Sequence, residues 1–376
     1  MTPRTVVHVA DMEIHRHTGM GRISHHWREA FRERGWQFLE IGAKETGPVP
    51  HRALWHHFAW NAFRALKLRP SAVLVHEPAS GIFTGRGFPV ALFSHGIEER
   101  GRRVMAPILR ARREEQPPPL PARLKSLLTR PLWARRAAQC ATGLRRADLL
   151  LLSNTEDREF AMREYGRSAA AITVFKNGVY PPSLPPPDPA STKEPTVLFL
   201  GTWNPRKGAF TLIEAARLLR HEGRRPRYLL AGTQVPAAEI LAQWPEALRA
   251  SVEVIPSFAP EREAEILARA TLFVLPSLVE GQPLVLLQAM AQGLCCITTD
   301  CCGQRDLIRQ RENGLLHPLA DAAGLARQLA WALDQPEEAL RLGEQASTDM
   351  ATRTWPAVGH EMVDHLEALT LLSSRP

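Results

Sequence analysis

Eleven short apolar runs recur along the chain, each set off from the next by a turn or by a stretch with helical patterning. In the first half they fall at 6–10, 37–41, 72–75, 90–93, 149–152 and 172–174. In the second half they fall at 196–200, 227–231, 252–255, 272–275 and 296–298. Runs of this length alternating with helical segments predict parallel strands covered by helices on both faces. The fold class is therefore α/β, with two doubly wound parallel sheets. Between the halves lies Pro181-Pro182-Ser183-Leu184-Pro185-Pro186-Pro187-Asp188-Pro189, which cannot continue a helix or a central strand and reads as a stiff linker. The expected divisions are a first domain at 1–180, a linker at 181–195, a second domain at 196–354 and a final helix at 355–376.

At 376 residues the chain is too long for one typical core, which agrees with two domains. With 44% hydrophobic and 23% charged residues, wholesale disorder is excluded. No apolar stretch reaches 18 residues, so no membrane-spanning helix is expected. The start, Met1-Thr2-Pro3-Arg4-Thr5, leads straight into the first strand without the apolar region of a signal peptide, and a cytoplasmic location is the default expectation. The five cysteines, Cys140, Cys295, Cys296, Cys301 and Cys302, do not form a disulfide framework. Four of them are crowded together but lack the paired C-x2-C spacing of zinc sites, so they are read as core residues and no metal is expected.

The most informative local segment is Pro276-Ser277-Leu278-Val279-Glu280-Gly281-Gln282-Pro283, followed by helix formers from Leu284 to Gln292. It predicts a strand, a turn containing Gly281, and a helix opening just after Pro283. Such a junction is a natural anion site, because unpaired N–H groups and the helix dipole face it. Glu280 stands at that mouth, and Gln288 lies two helical turns further on.

This segment resembles the donor-site signature of retaining glycosyltransferases of family 4, P-S-x-x-E-G-x-x-x-x-x-x-E-A-M. The resemblance continues through Gly293-Leu294, the 296–300 run, Gly303-Gln304-Arg305-Asp306 and Asn313-Gly314-Leu315-Leu316. The matching motifs follow in order across residues 276–316. The second glutamate of the signature is Gln288 here. The resemblance implies a GT-B fold, in which two Rossmann-like domains face a cleft and the last helix returns to the first domain.

It also implies roles for residues elsewhere. Gly201-Thr202-Trp203-Asn204-Pro205-Arg206-Lys207-Gly208 resembles the family's G-R-x-x-x-x-K-G, which holds the donor diphosphate. Lys207 matches the lysine, Thr202 occupies the arginine position, and Arg206 is an adjacent substitute. A fixed cation there would stabilise the charge of a departing diphosphate. Ser94-His95-Gly96-Ile97-Glu98 follows a strand and resembles the segment whose histidine contacts the donor sugar. Gly303 and Asp306 are expected in a loop along the donor. Thr18-Gly19-Met20-Gly21-Arg22 is expected as a small-residue loop whose N–H groups approach a phosphate or sugar at Gly19 and Gly21. His76-Glu77-Pro78 is another strand-end segment without an assigned role. Asn177-Gly178 fits a tight turn with positive φ.

The net charge is +8, and it is concentrated. Residues 100–146 carry thirteen Lys or Arg against only Glu114 and Glu115. Arg110, Arg112, Arg113, Arg123, Lys125, Arg135 and Arg136 mingle with Leu and Trp133, a mixture suited to an anionic membrane surface or acceptor. A solvated basic face is the plain alternative, and no nucleic-acid motif accompanies the charge.

The resemblance thus implies transfer of a sugar from a nucleoside diphosphate sugar to a glycan or lipid-linked hydroxyl, with retention. Glu280 and His95 would meet the donor sugar. Lys207, Arg206, Gln288, Gly281, Gly303, Asp306 and Thr202 would surround the donor. No cofactor or essential metal is expected, since no D-x-D triplet is present. The alternatives are a non-catalytic relative acting as partner or scaffold, favoured by the two departures at Thr202 and Gln288, and an epimerase or hydrolase on the same fold.

Overall fold

The computed structural model describes residues 4–16, 19–115, 119–184 and 194–373. Most of the proline-rich linker and Thr18 lie outside these residues, and so do the side chains of Arg112, Arg113 and Arg123. The chain divides into two compact units. One comprises Met1–Asn177 with Trp355–Pro376, and the other Gly178–Thr354.

The first unit is built on six parallel strands, β1 (Thr5–Val9), β2 (Gln37–Ile41), β3 (Ala72–His76), β4 (Val90–Ser94), β5 (Leu149–Leu152) and β6 (Ile172–Val174). Their order is β2-β1-β3-β4-β5-β6. The second holds β7 (Thr196–Leu200), β8 (Arg227–Ala231), β9 (Val252–Ile255), β10 (Leu272–Leu275), β11 (Cys295–Thr299) and β12 (Leu315–His317), ordered β12-β11-β10-β7-β8-β9. The eleven expected strands are present within a residue or so. The twelfth, β12, is missed by the sequence reading because it is three residues long and hidden in the Asn-Gly-Leu-Leu motif.

Alternation explains why these strands read as continuous apolar runs. Val197 and Phe199 face one core, while Leu198 and Leu200 face another on the opposite side of the sheet. Successive side chains of a strand point to opposite faces, so a strand covered on both sides is apolar throughout. The same rule separates Cys295 from Cys296, one in each core. All five cysteines are buried.

The Trp355–Ser373 helix packs in the first unit against the Gly19–Glu33 helix. Trp355 stacks on His26 with ring centroids 4.7 Å apart. Arg34 pairs with Asp364 at 3.1 Å, and the Trp36 indole N–H donates to Glu367 at 3.2 Å.

Three expectations are corrected here. Gly19 and Gly21 are not in a loop: they form the first turn of the Gly19–Glu33 helix, and Gly21 is buried. The first-turn N–H groups have no intrahelical acceptor, so glycine weakens a helix least there. Gly303 and Asp306 likewise sit on the Cys302–Leu307 helix instead of a loop. Finally, neither Asn177 nor Gly178 has positive φ. Val179 bridges to Thr354, with its N–H bonded to the Arg353 carbonyl at 2.8 Å, which keeps the backbone extended.

Candidate active site

In the second sheet β7 and β10 are neighbours, and the chain crosses over in opposite directions from them. Their carboxyl ends therefore open a crevice, the usual ligand position of an open α/β sheet. The loop after β7 carries Thr202 to Gly208, and the loop after β10 carries Pro276 to Pro283.

Local chemistry fixes both loops. The Asn204 side chain accepts from the Lys207 backbone N–H at 3.1 Å, capping the one-turn Pro205–Lys207 helix. Gly208 then reverses the chain with φ of 74°, and a Cβ there would lie 1.9 Å from the Pro276 carbonyl oxygen. Only glycine permits both that φ and that approach. The Leu278 N–H donates to the Arg206 carbonyl at 2.7 Å, tying the two loops together.

Three charged side chains meet as a result. Lys207 Nζ donates to Glu280 Oε1 at 2.5 Å. Arg206 reaches Glu280 Oε2 at 3.3 Å and the Val279 carbonyl at 2.8 Å. Glu280 is buried at 7% exposure. Burial pushes its carboxyl pKa up, but the Lys207 ammonium and the Arg206 guanidinium outweigh that and hold it below the ordinary value. The result is a buried carboxylate kept charged by two cations.

Gly281 and Gly303 are also brought together. The Gly303 N–H donates to the Gly281 carbonyl at 3.0 Å, and a Cβ on Gly303 would fall 2.1 Å from that oxygen. Cys302, which replaces a glycine of the motif, adopts φ of 54°. Thr202 is exposed and Asp306 half-buried. Gln288 is buried, and its side-chain carbonyl accepts from the Tyr180 N–H at 3.1 Å. That bond to the backbone is not visible in the sequence, because 108 residues separate the partners.

In the first unit the equivalent crossover lies between β1 and β3. Here three histidines gather. His8 and His76 approach through their Nε2 atoms at 3.1 Å, and Ser24 Oγ lies 3.2 Å from His8 Nε2. The His76 and His95 rings lie 4.9 Å apart. Burial lowers the pKa of His95 to about 4 and that of His8 to about 3, the latter with help from His95 and Arg28. Burial, with His95 and His8 beside it, also holds His76 well below its ordinary value, so all three are neutral at physiological pH. His95 Nε2 is buried and has no hydrogen-bond partner among the described residues, an arrangement that costs roughly 1–3 kcal/mol unless a ligand or water completes it.

Beside them, a pocket of about 520 Å³ opens at the carboxyl ends of β1 and β2, lined in part by Met12, Glu13, Ile14, Glu40 and Glu45. Sequence reasoning did not anticipate it, since its walls come from segments thirty residues apart.

The basic segment forms two helices, Glu98–Glu115 and Leu120–Arg146. Arg110, Lys125, Arg130, Trp133 and Arg135 are exposed. Arg136 is not part of that surface and is a further correction. It is 5% exposed, and its Nε donates to Glu98 at 3.1 Å while Nη1 lies 4.0 Å from Asp11. Its position on the helix points it at the sheet end, which a count of basic residues cannot reveal. Leu120, Leu124, Leu127 and Leu128 are all more than half exposed. Among the described residues no helix is long and apolar enough to cross a membrane.

Two parallel α/β units of this topology match the GT-B fold of solved structures. Residues 184–349 match the family model described as glycosyl transferases group 1. D-inositol 3-phosphate glycosyltransferase of Nocardia farcinica is 27% identical over 238 residues, covering 59% of this chain and 53% of that protein. The chain spans about half the length of the curated relatives it matches. Among solved structures, sucrose-phosphate synthase from Thermosynechococcus elongatus superposes with a TM-score of 0.76 at 20% identity, covering 98% of this chain and 100% of that one. Anabaena Alr3699/HepE, solved in complex with UDP and glucose, gives 0.64 at 14% identity over 97% of this chain and 100% of that one.

Proposed function

We propose that this chain is a retaining glycosyltransferase that moves a sugar from a nucleoside diphosphate sugar to a hydroxyl of a glycan or lipid-linked saccharide. The observation that carries the reading is the pairing of Lys207 and Arg206 with buried Glu280 at the crossover of the second sheet, inside the segment that matches the family model. A departing diphosphate gains negative charge, and cations already held in place stabilise it without reorganisation. A carboxylate kept charged, as Glu280 is, can orient sugar hydroxyls or oppose positive charge at the anomeric carbon as the bond breaks. The complex of Anabaena Alr3699/HepE with UDP and glucose supports a nucleotide-sugar donor. His95, with its buried unsatisfied Nε2, would contact the sugar, and Lys207 and Arg206 supply the charge that a metal supplies elsewhere.

The acceptor reading rests on the first unit. Carboxylates beside Met12 and Ile14 suit the hydroxyls and apolar faces of a saccharide. The exposed leucines of the Leu120–Arg146 helix, among Lys125, Arg130 and Arg135, suit the headgroup region of an anionic membrane, which would place the protein peripherally on the inner face.

Calorimetric titration with UDP, GDP and ADP tests the donor site. One nucleotide is expected to bind in the micromolar-to-millimolar range, with about tenfold weaker binding in Lys207→Ala. A folded protein that binds none of them would instead be the non-catalytic relative. Product analysis without acceptor separates a transferase from an epimerase or hydrolase.

A further inference from the structure

The segment bearing His95 is held from a direction the motif does not indicate. Glu77 directly follows β3 and opens the one-turn Glu77–Ala79 helix. Its side chain is buried, at 3% exposure. One carboxyl oxygen accepts from the Ser94 hydroxyl at 2.6 Å, and the other accepts from the Glu98 backbone N–H at 3.1 Å. The Ser94 hydroxyl in turn accepts from the Gly96 N–H at 3.2 Å. The Glu98 N–H also lies 3.4 Å from the oxygen that Ser94 bonds, so the two ends of the His95 segment, Ser94 and Glu98, are both bonded to one carboxyl group.

The surroundings make this group hard to replace by water. The Leu120–Arg146 helix closes over the turn, and a Cβ at Gly143 would lie 1.8 Å from the Ser80 hydroxyl. The Ser80 hydroxyl donates to the Glu77 carbonyl at 2.8 Å. From the same helix Arg136 bonds the Glu98 side chain. Among the described residues no other side chain bonds the backbone N–H groups of Gly96 and Glu98.

We propose that Glu77 is a positioning residue, whose carboxyl clamps residues 94–98 and so fixes the imidazole of His95 for its work on the donor sugar. The proposal rests on the reading of His95 given above. It assigns Glu77 no contact with substrate.

Amide hydrogen exchange and steady-state kinetics, measured on the full chain, test it together. Glu77→Ala removes both acceptors. Exchange at Glu98, whose acceptor is lost, is expected to rise about tenfold or more, and exchange at Gly96 to rise with it because its acceptor Ser94 is no longer held by Glu77. The turnover number should fall by a similar factor, while nucleotide affinity at the Lys207 site stays within about twofold. Glu77→Gln keeps an acceptor for Glu98 and a polar partner for Ser94, and it should restore both the exchange rates and kcat. Where Glu77→Ala fails to fold, Ser94→Ala serves in its place and should raise exchange at Gly96. Unchanged exchange in Glu77→Ala or Ser94→Ala overturns the clamp. Raised exchange with unchanged kcat overturns the positioning role. A wild-type protein that transfers no sugar while exchange still responds to these variants would sink the transferase reading and leave the clamp standing.

Discussion

At Glu280 two strong effects oppose each other. Burial favours the neutral acid, and two adjacent cations favour the carboxylate. The cations prevail because Lys207 and Arg206 each lie within hydrogen-bond distance of a carboxyl oxygen in a buried site, where their attraction is little screened. Removing one partner of such a pair leaves an uncompensated charge, which is why Lys207→Ala is expected to cost folding stability as well as nucleotide affinity. Thermal unfolding beside the titration checks this, with a lowered midpoint as the expected result. Gln288 poses a different question. It occupies the position where the family signature has glutamate, and its side-chain carbonyl is engaged by the Tyr180 N–H. A carboxylate could keep that bond with one oxygen and offer the other to a ribose hydroxyl with a charge-assisted bond. Gln288→Glu is therefore expected to raise nucleotide affinity severalfold in the same calorimetric assay. Unchanged affinity would remove residue 288 from the donor site.

Among the elements, the Leu120–Arg146 helix has two distinct jobs. Its C-terminal half is packed into the first unit through Gly143 against Ser80 and through Arg136 against Glu98. Its N-terminal half exposes Leu120, Leu124, Leu127 and Leu128 at spacings of four, three and one, which places them on one side of the helix. An apolar stripe among basic residues predicts sedimentation with vesicles containing anionic lipid, weakened by salt and absent with neutral lipid. Replacing Leu127 and Leu128 together by serine should reduce the bound fraction severalfold without altering the unfolding midpoint, since neither side chain is packed. Equal binding to neutral vesicles, or none to anionic ones, would argue for a solvated face. The sequence shows the charge and the leucines of this helix but not the division of labour, because Arg135 and Arg136 are indistinguishable until the helix is docked. The same holds for Gly19 and Gly21. A glycine pair after a strand reads as a loop, and only the chain around it shows a helix beginning there.

For the molecule as a whole, the two units have separate cores, and a buried acid of the first unit makes stability depend on pH. In the first unit Glu77 has its pKa raised to about 8, by burial first and by the nearby Glu98 second, against the opposing bonds from Ser94 and Glu98. An acid that keeps its proton when folded and loses it when unfolded makes the folded state less favourable as pH rises from its ordinary value towards the raised one. The contribution is present at acid pH, declines between about 4.5 and 8, and is flat beyond. Denaturant unfolding of the full chain across the pH interval from about 4.5 to 8 should show this decline, and Glu77→Gln should flatten it. A parallel pH dependence in both proteins would place the titration elsewhere.

What the sequence by itself determined was the α/β class, eleven strands close to their observed limits, and the segment containing Lys207 and Glu280. Those features are written in short-range patterns of apolar residues, glycine and proline, which act through local backbone preference and burial. What only the tertiary structure decided were the Lys207–Glu280 bond across 73 residues, the Tyr180 contact of Gln288, the packing of the last helix on the first, and the Glu77 carboxyl joining Ser94 to Glu98. Each of these depends on which strands become neighbours. Strand order is set by the packing of whole helices against the sheet, a long-range outcome that no window of the sequence contains.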